Sequence, residues 1–409
     1  MTKPATNSRF ALLQALYWAA FCVVYSFLVP LYRSYGYDEI TIGILSLVGS
    51  LATMIIQPLW GLWCDKTGML RSIFVGSVFI AILFSFGLWL GKSGPFIIGV
   101  SVFFIASTYL VMGTILDSWI MKMANQGSPI RYNITRGFGS LSYAVVSIGF
   151  GRLLDIFGLQ IIPPFFAVMA LVLIFIAART QAPVLESHHY GGSNLIAESE
   201  PLLKEHPLKA FIELLKIKKF VVFMIAIMFV FIGNGTLIVF MPLRMEELGG
   251  NNTMLGIALT IMALSEAPAM LLHHRISMKI KNEVILGISL IFFVIKILAT
   301  ALAPNATVLI LLQALQFFAF GLYMPSAIHQ INRFVGEKQL TTAMLLFASV
   351  TFGMGMMIGS SVGGVLASMV GLQMMFLIFS VVAAIGVTVF FIGGREKAMD
   401  ISALKRRDE

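Results

Sequence analysis

Charge is what this sequence has least of. Of its 409 residues, 58% are hydrophobic and only 11% are Asp, Glu, Lys or Arg, whereas about a quarter of a soluble globular chain is charged. A composition this apolar excludes an ordinary soluble domain, so most of the chain must face lipid or a core inside a membrane. Because one span takes about 20 apolar residues, twelve helices with short loops fit this length.

Cysteine is also scarce, and the usual sets of catalytic residues are missing. Cys22 and Cys64 are the two cysteines, and they match no metal-ligand spacing. The chain has no Ser–His–Asp set, no phosphate-binding loop and no nucleotide-binding domain. We therefore expect neither an enzyme nor an ATP-driven pump, and no metal or cofactor. The net charge of +9 could suggest nucleic acid, but the basic residues cluster on one side of the predicted membrane, so we expect no nucleic-acid partner.

Apolar runs predict an all-α membrane protein with two six-helix bundles. Between the sixth and seventh runs lies the one long polar segment. The predicted domains are an N-terminal bundle (1–178), a cytoplasmic linker (179–219), a C-terminal bundle (220–393) and a cytoplasmic tail (394–409). The predicted spans are 11–31, 43–62, 72–91, 95–117, 136–154, 160–178, 220–243, 254–272, 284–303, 307–328, 343–367 and 374–393.

The basic residues predict the orientation. Most of the 28 Lys and Arg residues fall on the side of the linker and of both termini. Cytoplasmic loops carry the excess of positive charge, so both termini should be cytoplasmic in a multi-pass protein of a bacterial inner membrane. The basic residues expected on the other side are Arg33, Lys92, Arg152 and Arg244.

Matching residues recur at corresponding positions of the two halves. Pro30 near the end of the first span matches Pro242 near the end of the seventh, and Gly43 in the second span matches Gly256 in the eighth. Such recurrence at half-chain spacing indicates a duplicated six-helix unit. Close helix packing is also indicated by three glycines spaced by four in the eleventh span: Gly355, Gly359 and Gly363.

The loop between the second and third spans reads GLWCDKTGMLR. With Gly61, Asp65, Lys66, Gly68 and Arg71 at the matching positions, it resembles the signature loop of the major facilitator superfamily. The resemblance implies a gate that latches the two halves on the cytoplasmic side when the pore opens outward. In this interpretation the first glycine permits close helix packing, and the basic residues stay at the cytoplasmic surface.

Four ionisable residues are predicted within the spans: Asp117, Arg136, Glu266 and Lys296. A charge inside a membrane is costly and therefore a candidate for function. Each half has one acid and one base, so pairing is plausible.

The segments around these charges resemble lactose permease and its relatives, including phenylpropionate-permease-like and nucleoside-symporter-like transporters. In LDSWIMKMANQGSPIRYNITRGFGSLSY, Asp117, Arg136 and Tyr143 fall at that family's sugar-binding acid, arginine and stacking aromatic. TIMALSEAPAM places Glu266 at its second substrate-side acid. SLIFFVIKILAT places Lys296 where the family has arginine. The resemblance implies that these residues bind substrate.

The tenth span departs from that family. Gln316 and Ala319 stand where lactose permease has its histidine and its proton-accepting glutamate. Proton coupling would therefore fall to Glu266 or Asp117. Glu266 is preferred, because a buried carboxylate near a cation can change protonation as its surroundings rearrange.

Two polar residues complete the predicted substrate site. Asn234, within Asn-Gly-Thr, suggests a broken or flexible helix at mid-membrane, where transporters bind substrate. Gln316 is expected to line the same cavity. Structural alternatives stay open: Asp117 and Arg136 could form a salt bridge, Lys296 could simply neutralise Glu266, and the two amides could join helices.

The sequence therefore predicts a secondary active transporter that moves a small polar organic solute by alternating access. The solute would be a sugar, a nucleoside or an aromatic acid, carried by proton symport, and the protein would act as a monomer in the lipid bilayer. The alternative is a proton-driven multidrug or lipid exporter, because 34 Phe and 24 Met residues could build an adaptable apolar pocket. Exporters of the superfamily usually carry a proline-glycine signature on the fifth helix, which this chain lacks.

Overall fold

The computed structural model describes residues 7–180 and 213–393. Within them, eleven helices are long and apolar enough to cross a membrane. The last runs for 51 residues and contains Gly371, whose φ of 80° is not helical. This glycine divides it into two spans, so the twelve predicted helices are confirmed. They are α1 (Asn7–Ser34), α2 (Glu39–Cys64), α3 (Leu70–Ser93), α4 (Pro95–Ala124), α5 (Ile134–Phe157), α6 (Leu159–Ala178), α7 (Lys218–Glu247), α8 (Asn252–Ser277), α9 (Asn282–Leu302), α10 (Ala306–Val335), α11 (343–370) and α12 (372–393).

Two predicted segments fall largely outside this description. Most of the linker, residues 181–212, and the tail, residues 394–409, lie outside the described residues. The predicted domain boundaries therefore stay predictions. We call the membrane side where α6 ends and α7 begins the linker side, and the opposite one the linker-distal side.

The second helix of each half begins with the same type of N-cap hydrogen bond. The side chain of Asp38 accepts a 2.9 Å hydrogen bond from the backbone N–H of Thr41 at the start of α2. At the start of α8, Asn251 accepts one of 2.9 Å from the N–H of Met254. Asp and Asn are preferred at this position because they satisfy backbone donors that the helix leaves free. The recurrence of residues between the halves thus has a structural counterpart.

Glycines bring α7 and α11 into close contact, as predicted for Gly355, Gly359 and Gly363. A Cβ atom added to Gly359 would collide with the carbonyl of Ile232. At the same crossing, Thr236 Oγ1 donates a 2.9 Å hydrogen bond to the Gly359 carbonyl. Small residues at helix crossings allow the backbones to approach where lipid offers no hydrophobic driving force.

The predicted break at Asn234 is wrong. Helix α7 is continuous from Lys218 to Glu247. The neighbouring glycines serve packing instead: Gly233 lies against the Phe379 carbonyl, and Gly235 against the backbone of Met356. Because both glycines keep helical geometry, they remove bulk at the crossing without interrupting the hydrogen bonds of the helix.

The actual irregularities lie in other helices. Helix α1 is interrupted between Tyr25 and Leu28. Helix α10 contains the 3₁₀ turn Gln313–Phe317, and α4 and α11 contain π-helical turns at Ala106–Leu110 and Ser349–Gly355. Irregular backbone at membrane depth is tolerated where it is buried or lines a cavity. The breaks in α1, α10 and α11 all contribute to the wall of the central cavity.

The two halves meet at α5 with α8 and at α2 with α11. At each crossing the closest approaches involve glycines on the linker-distal side: Gly43 lies against Ser360, and Gly256 against Ser147. Within the described residues, every hydrogen bond between the halves joins α5 to α8, including a 2.7 Å bond from Thr260 Oγ1 to the Ala144 carbonyl. The halves are thus closed against each other on the linker-distal side.

Candidate functional site

A cavity of about 420 Å³ lies between the two halves. Its wall is formed by α1, α2, α4 and α5 from the first half and by α7 to α11 from the second. Most of the lining is apolar or aromatic, with a small number of polar groups, which is the usual composition of a small-molecule site. Five of the predicted substrate residues line it: Tyr143, Asn234, Glu266, Lys296 and Gln316.

The 3₁₀ turn of α10 explains why two amides face the cavity together. Side chains three residues apart eclipse one another in a 3₁₀ helix, so Gln313 and Gln316 lie on one face and both line the cavity. Gln313 Nε2 donates a 3.0 Å hydrogen bond to the Leu309 carbonyl of its own helix. The amide of Gln316 remains available to contact other helices.

Gln316 contacts one of the two charged residues of the second half. Lys296 Nζ on α9 donates a 2.7 Å hydrogen bond to Gln316 Oε1. Glu266 on α8 lines the same cavity and lies within electrostatic range of Lys296. Lys296 and Gln316 are only 2% and 8% exposed. Burying a charge is costly unless it is paired and hydrogen-bonded. The amide of Gln316 supplies the hydrogen bond, and Glu266 supplies a nearby opposite charge.

The charges of the first half form a separate chain of contacts. Gln14 Nε2 donates a 2.6 Å hydrogen bond to Asp117 Oδ1, and the indole N–H of Trp18 donates one of 2.9 Å to Gln14 Oε1. The guanidinium of Arg136 stacks over the Trp18 ring, 4.1 Å from its centroid, in a cation–π contact. The hydroxyl of Tyr132 lies within electrostatic range of both Asp117 and Arg136.

Asp117 and Arg136 therefore lie outside the cavity wall that the other predicted substrate residues line. In the described structure they form no direct ion pair, and neither lines the cavity. Arg136 lies seven residues nearer than Tyr143 to the linker-side end of α5, about 10 Å along a helix axis. Trp18 separates it from the cavity, although Arg136 remains close enough to act electrostatically on Glu266.

Tyr143 contacts the interrupted part of α1. Its hydroxyl lies 3.0 Å from Ser26 Oγ, in the turn between the two helical segments of α1. The ring packs near Phe21, at 6.4 Å between centroids. The aromatic residue that the resemblance singled out thus belongs to the cavity wall.

An aromatic face of α1 was missed from the sequence. Trp18, Phe21 and Tyr25 all line the cavity, and neighbouring rings in this row are 5.1 Å and 5.2 Å apart. Their spacing of three and four residues places them on one face of a helix. That periodicity was available in the sequence, but in an apolar span it does not distinguish a cavity from a packed core.

The helix that contains α2 continues to Thr67 and ends with a glycine cap in the loop of the predicted gate. Gly68 has a φ of 64°, which favours glycine, and its N–H donates a 2.8 Å hydrogen bond to the Cys64 carbonyl. Arg71 Nη1 reaches the carbonyl of Thr180 at the end of the first half, at 3.4 Å. The glycine spacing of the motif thus corresponds to a helix end.

Gly61, at the start of the predicted gate, is not packed against another helix of the described structure. A Cβ atom on Gly61 would meet nothing within 4 Å, so the expected close packing at this glycine is wrong for this conformation. The cause is that the halves touch on the opposite side. Lys66 is exposed, and the side chain of Asp65 lies outside the described part of the structure.

A second contact between the halves was not foreseen. The carboxylate of Asp155, near the end of α5, accepts hydrogen bonds of 3.0 Å and 2.8 Å from the backbone N–H groups of Asn252 and Thr253. Their side chains add two further bonds. Asp155 of one half therefore caps the first helical turn of α8 in the other. Sequence alone could not pair residues this far apart.

Twelve helices in two related halves around a central charged cavity define a membrane transporter of the major facilitator type. The chain matches the model of the MFS_1 like family over residues 9–378 and belongs to that family. The members of this family that the chain resembles carry out transport rather than catalysis.

Known proteins similar to the chain are transporters. The maltose permease of Geobacillus stearothermophilus is 25% identical over 381 residues, covering 91% of this chain and 92% of the permease. A mutant of the nucleoside transporter NupG superimposes with a TM-score of 0.82 at 16% identity, covering 95% and 99% of the two chains. A bacterial homologue of the human lysosomal transporter Spinster, inward-facing and unoccupied, gives 0.67 at 15% identity, covering 95% and 96%.

Proposed function

We propose that this chain is a secondary active transporter that carries a small polar solute of the sugar or nucleoside class by proton symport. The observation that carries the proposal is the cluster of Lys296, Gln316 and Glu266 in the wall of a cavity between the two halves, with Lys296 hydrogen-bonded to Gln316. It offers a cationic donor, an amide and a carboxylate acceptor to one bound molecule.

The shape of the lining supports a hydroxyl-bearing ring. The carboxylate of Glu266 accepts hydrogen bonds from hydroxyl groups, while Lys296 donates to ring or carbonyl oxygens. On the opposite wall, Trp18, Phe21 and Tyr25 present flat apolar surfaces, against which a sugar ring or a nucleobase stacks. The names of a maltose permease and of a nucleoside transporter among similar proteins agree with this class.

Coupling is assigned to Glu266, with Asp117 as the second carboxylate. Protonation of Glu266 would neutralise the anion of this cluster while Lys296 keeps its bond to Gln316. The net charge buried in the cavity would then depend on whether substrate and proton are both bound. A ligand shifts a conformational equilibrium only when it interacts differently with the two conformations, and this change in buried charge would supply that difference. Asp117 lies outside the cavity wall and would affect this buried charge through Arg136 and Trp18.

Alternating access follows from the asymmetry of the contacts between the halves. To open the linker-distal side, the halves must separate at Gly43–Ser360 and Gly256–Ser147 and release Asp155 from α8. We propose that the Gly61–Arg71 loop then meets the second half on the linker side, which we take to be cytoplasmic. Each conformation would thus be stabilised by its own set of contacts.

A drug or lipid exporter is the second candidate. It is favoured by the apolar part of the lining, which includes Met262, Phe320, Phe352 and Met356, because methionine and phenylalanine adapt to varied ligands. An exporter would bind lipophilic cations without needing hydroxyl groups on its ligand.

Transport into proteoliposomes under an imposed pH gradient tests the proposal. The panel would contain a disaccharide, a purine and a pyrimidine nucleoside, an aromatic acid and a lipophilic cationic dye. We expect a sugar or nucleoside to accumulate on the alkaline side and a protonophore to abolish accumulation. Accumulation of the aromatic acid alone would redirect the substrate class. Dye movement against the proton gradient, without uptake of the polar solutes, would contradict symport and support export.

A further inference from the structure

A second cavity, of about 330 Å³, lies inside the second half and away from the transport site. It is formed by α7, α9, α10 and α12 at their linker-side ends, and we call it the α9–α12 cleft. Lys219 on α7, Gln330 on α10 and Gly393 on α12 mark its polar end. Its remaining lining is aliphatic or aromatic apart from Glu283.

The mouth of the cleft faces the surroundings of the bundle. Val284 and Ile291 on α9 and Phe391 on α12 line it and are 49%, 38% and 44% exposed. Exposed apolar residues on a membrane-spanning helix face lipid. The cleft therefore opens sideways toward the hydrocarbon chains, while its polar end lies at the linker-side boundary of the membrane.

A buried acceptor at the polar end has no donor. Oε1 of Gln330 is buried and accepts no hydrogen bond within the described structure, and the residue is only 6% exposed. A buried acceptor left unpaired is costly, so the site fits a ligand that brings hydroxyl donors.

Basic side chains surround the same end. Lys219 lines the cleft, and Lys216 and Lys218 are exposed beside it. The one carboxylate in the lining, Glu283, is paired with Arg333 at 3.1 Å, which offsets its repulsion of an anion. Clustered lysines at a membrane boundary attract anionic headgroups, and basic pockets between spanning helices hold them.

We propose that the α9–α12 cleft binds an anionic glycerophospholipid with a hydroxyl-bearing headgroup. One acyl chain would lie along Val284, Ile288 and Ile291, and the phosphate would lie near Lys219. The headgroup hydroxyls would donate to Gln330. The alternative occupant is the chain's own tail, residues 394–409, because Gly393 lines the cleft.

Native mass spectrometry of the purified full-length chain tests the proposal with two probes, dioleoyl phosphatidylglycerol and dioleoyl phosphatidylcholine. We expect the wild type to retain the first lipid and not the second. Lys219→Gln should weaken retention by about fivefold, the effect of one lysine at an anionic surface. The matched control is Lys279→Gln, which removes an exposed lysine between α8 and α9 that does not line the cleft. It should leave retention unchanged.

Gln330→Leu adds a readout that a folding defect would not mimic. Without lipid this variant should unfold at a higher temperature than the wild type, because it removes an unpaired buried acceptor. Its stabilisation by phosphatidylglycerol should be smaller than that of the wild type. Equal retention by wild type, Lys219→Gln and Gln330→Leu would overturn the proposal, as would equal retention of both lipids. Binding of phosphatidylglycerol only after deletion of residues 394–409 would identify the tail as the occupant and also overturn it.

Discussion

The ammonium group of Lys296 donates a 2.7 Å hydrogen bond to Gln316 Oε1, and the carboxylate of Glu266 belongs to a residue that lines the same cavity. Three helices of the second half thus place a cation, an amide and an anion in the wall of one cavity. Gln316 occupies the position where the resembled lactose permease has histidine. In this chain the position still contacts a charged residue, Lys296, through an amide that does not titrate.

Gln316→Leu tests the hydrogen bond to Lys296. Without the amide, Lys296 loses its hydrogen-bond acceptor in the cavity wall, so we expect coupled uptake to fall by about tenfold, which corresponds to about 1.4 kcal/mol. The free energy of unfolding should fall by about 1–3 kcal/mol, since a buried polar group is left unsatisfied. Gln313→Leu is the control, because that amide bonds the carbonyl of Leu309 in its own helix. Equal defects in both variants would show that the bond between Lys296 and Gln316 has no special role.

Trp18 should connect Arg136 to the cavity that Glu266 and Lys296 line. Its ring carries Arg136 on one face, and the residue also lines the cavity. Trp18→Leu removes a cation–π contact of about 0.5–2 kcal/mol and a stacking surface, so the half-saturation concentration for substrate should rise. Trp18→Phe keeps a ring and should have the smaller effect. If uptake kinetics are the same in Trp18→Leu and the wild type, the aromatic wall does not contact substrate.

Asp155→Asn should favour opening of the linker-distal side. An anion at a helix N-terminus contributes about 0.3–1 kcal/mol, and up to about 2 kcal/mol when partly buried. Its loss should raise the population open on that side several-fold. Labelling of a cysteine introduced at the cavity residue Val29, by an impermeant thiol reagent added from the linker-distal side, reports that population.

Asp38→Asn is the matched control for this experiment. Asp38 lies on the same side of the membrane and also caps a helix, but the helix is in its own half. Labelling at Val29 should therefore match the wild type. Unchanged labelling in Asp155→Asn would show that this carboxylate does not hold the halves together.

Asp38 also predicts a pH dependence of stability. Hydrogen bonds from the hydroxyl and the N–H of Thr41 lower the pKa of this carboxyl group in the folded protein. A group with a lowered folded pKa stabilises the fold above its unfolded pKa, and this contribution disappears as the pH falls through the folded pKa. Asp38→Ala should cost about 1 kcal/mol at neutral pH and less in acid. Asn is an equally good cap, so Asp38→Asn should be nearly neutral and insensitive to pH, as followed by thermal unfolding.

Sequence reasoning predicted the features that follow from composition and spacing. Apolar length gave twelve spans, and the cost of charge in a membrane singled out Glu266 and Lys296. Sequence reasoning did not predict features whose conformation depends on contacts between residues distant in the chain. The break expected at Asn234 is absent because its glycines pack against other helices, and the 3₁₀ turn at Gln313–Phe317 has no local signal. The open surroundings of Gly61 depend on which side of the protein is closed, which one sequence cannot specify because a transporter uses both conformations.

The most direct test of the account is the Glu266→Gln variant in proteoliposomes that contain a pH-sensitive dye. With a substrate identified in the panel, we predict that exchange of substrate down its own gradient persists, since Gln keeps a side chain of similar size that can hydrogen-bond the substrate. Substrate-driven proton movement should be lost. Glu246→Gln, an exposed position at the linker-distal end of α7, should behave as wild type. Proton movement at the wild-type rate in Glu266→Gln would contradict the assignment of Glu266 as the coupling residue.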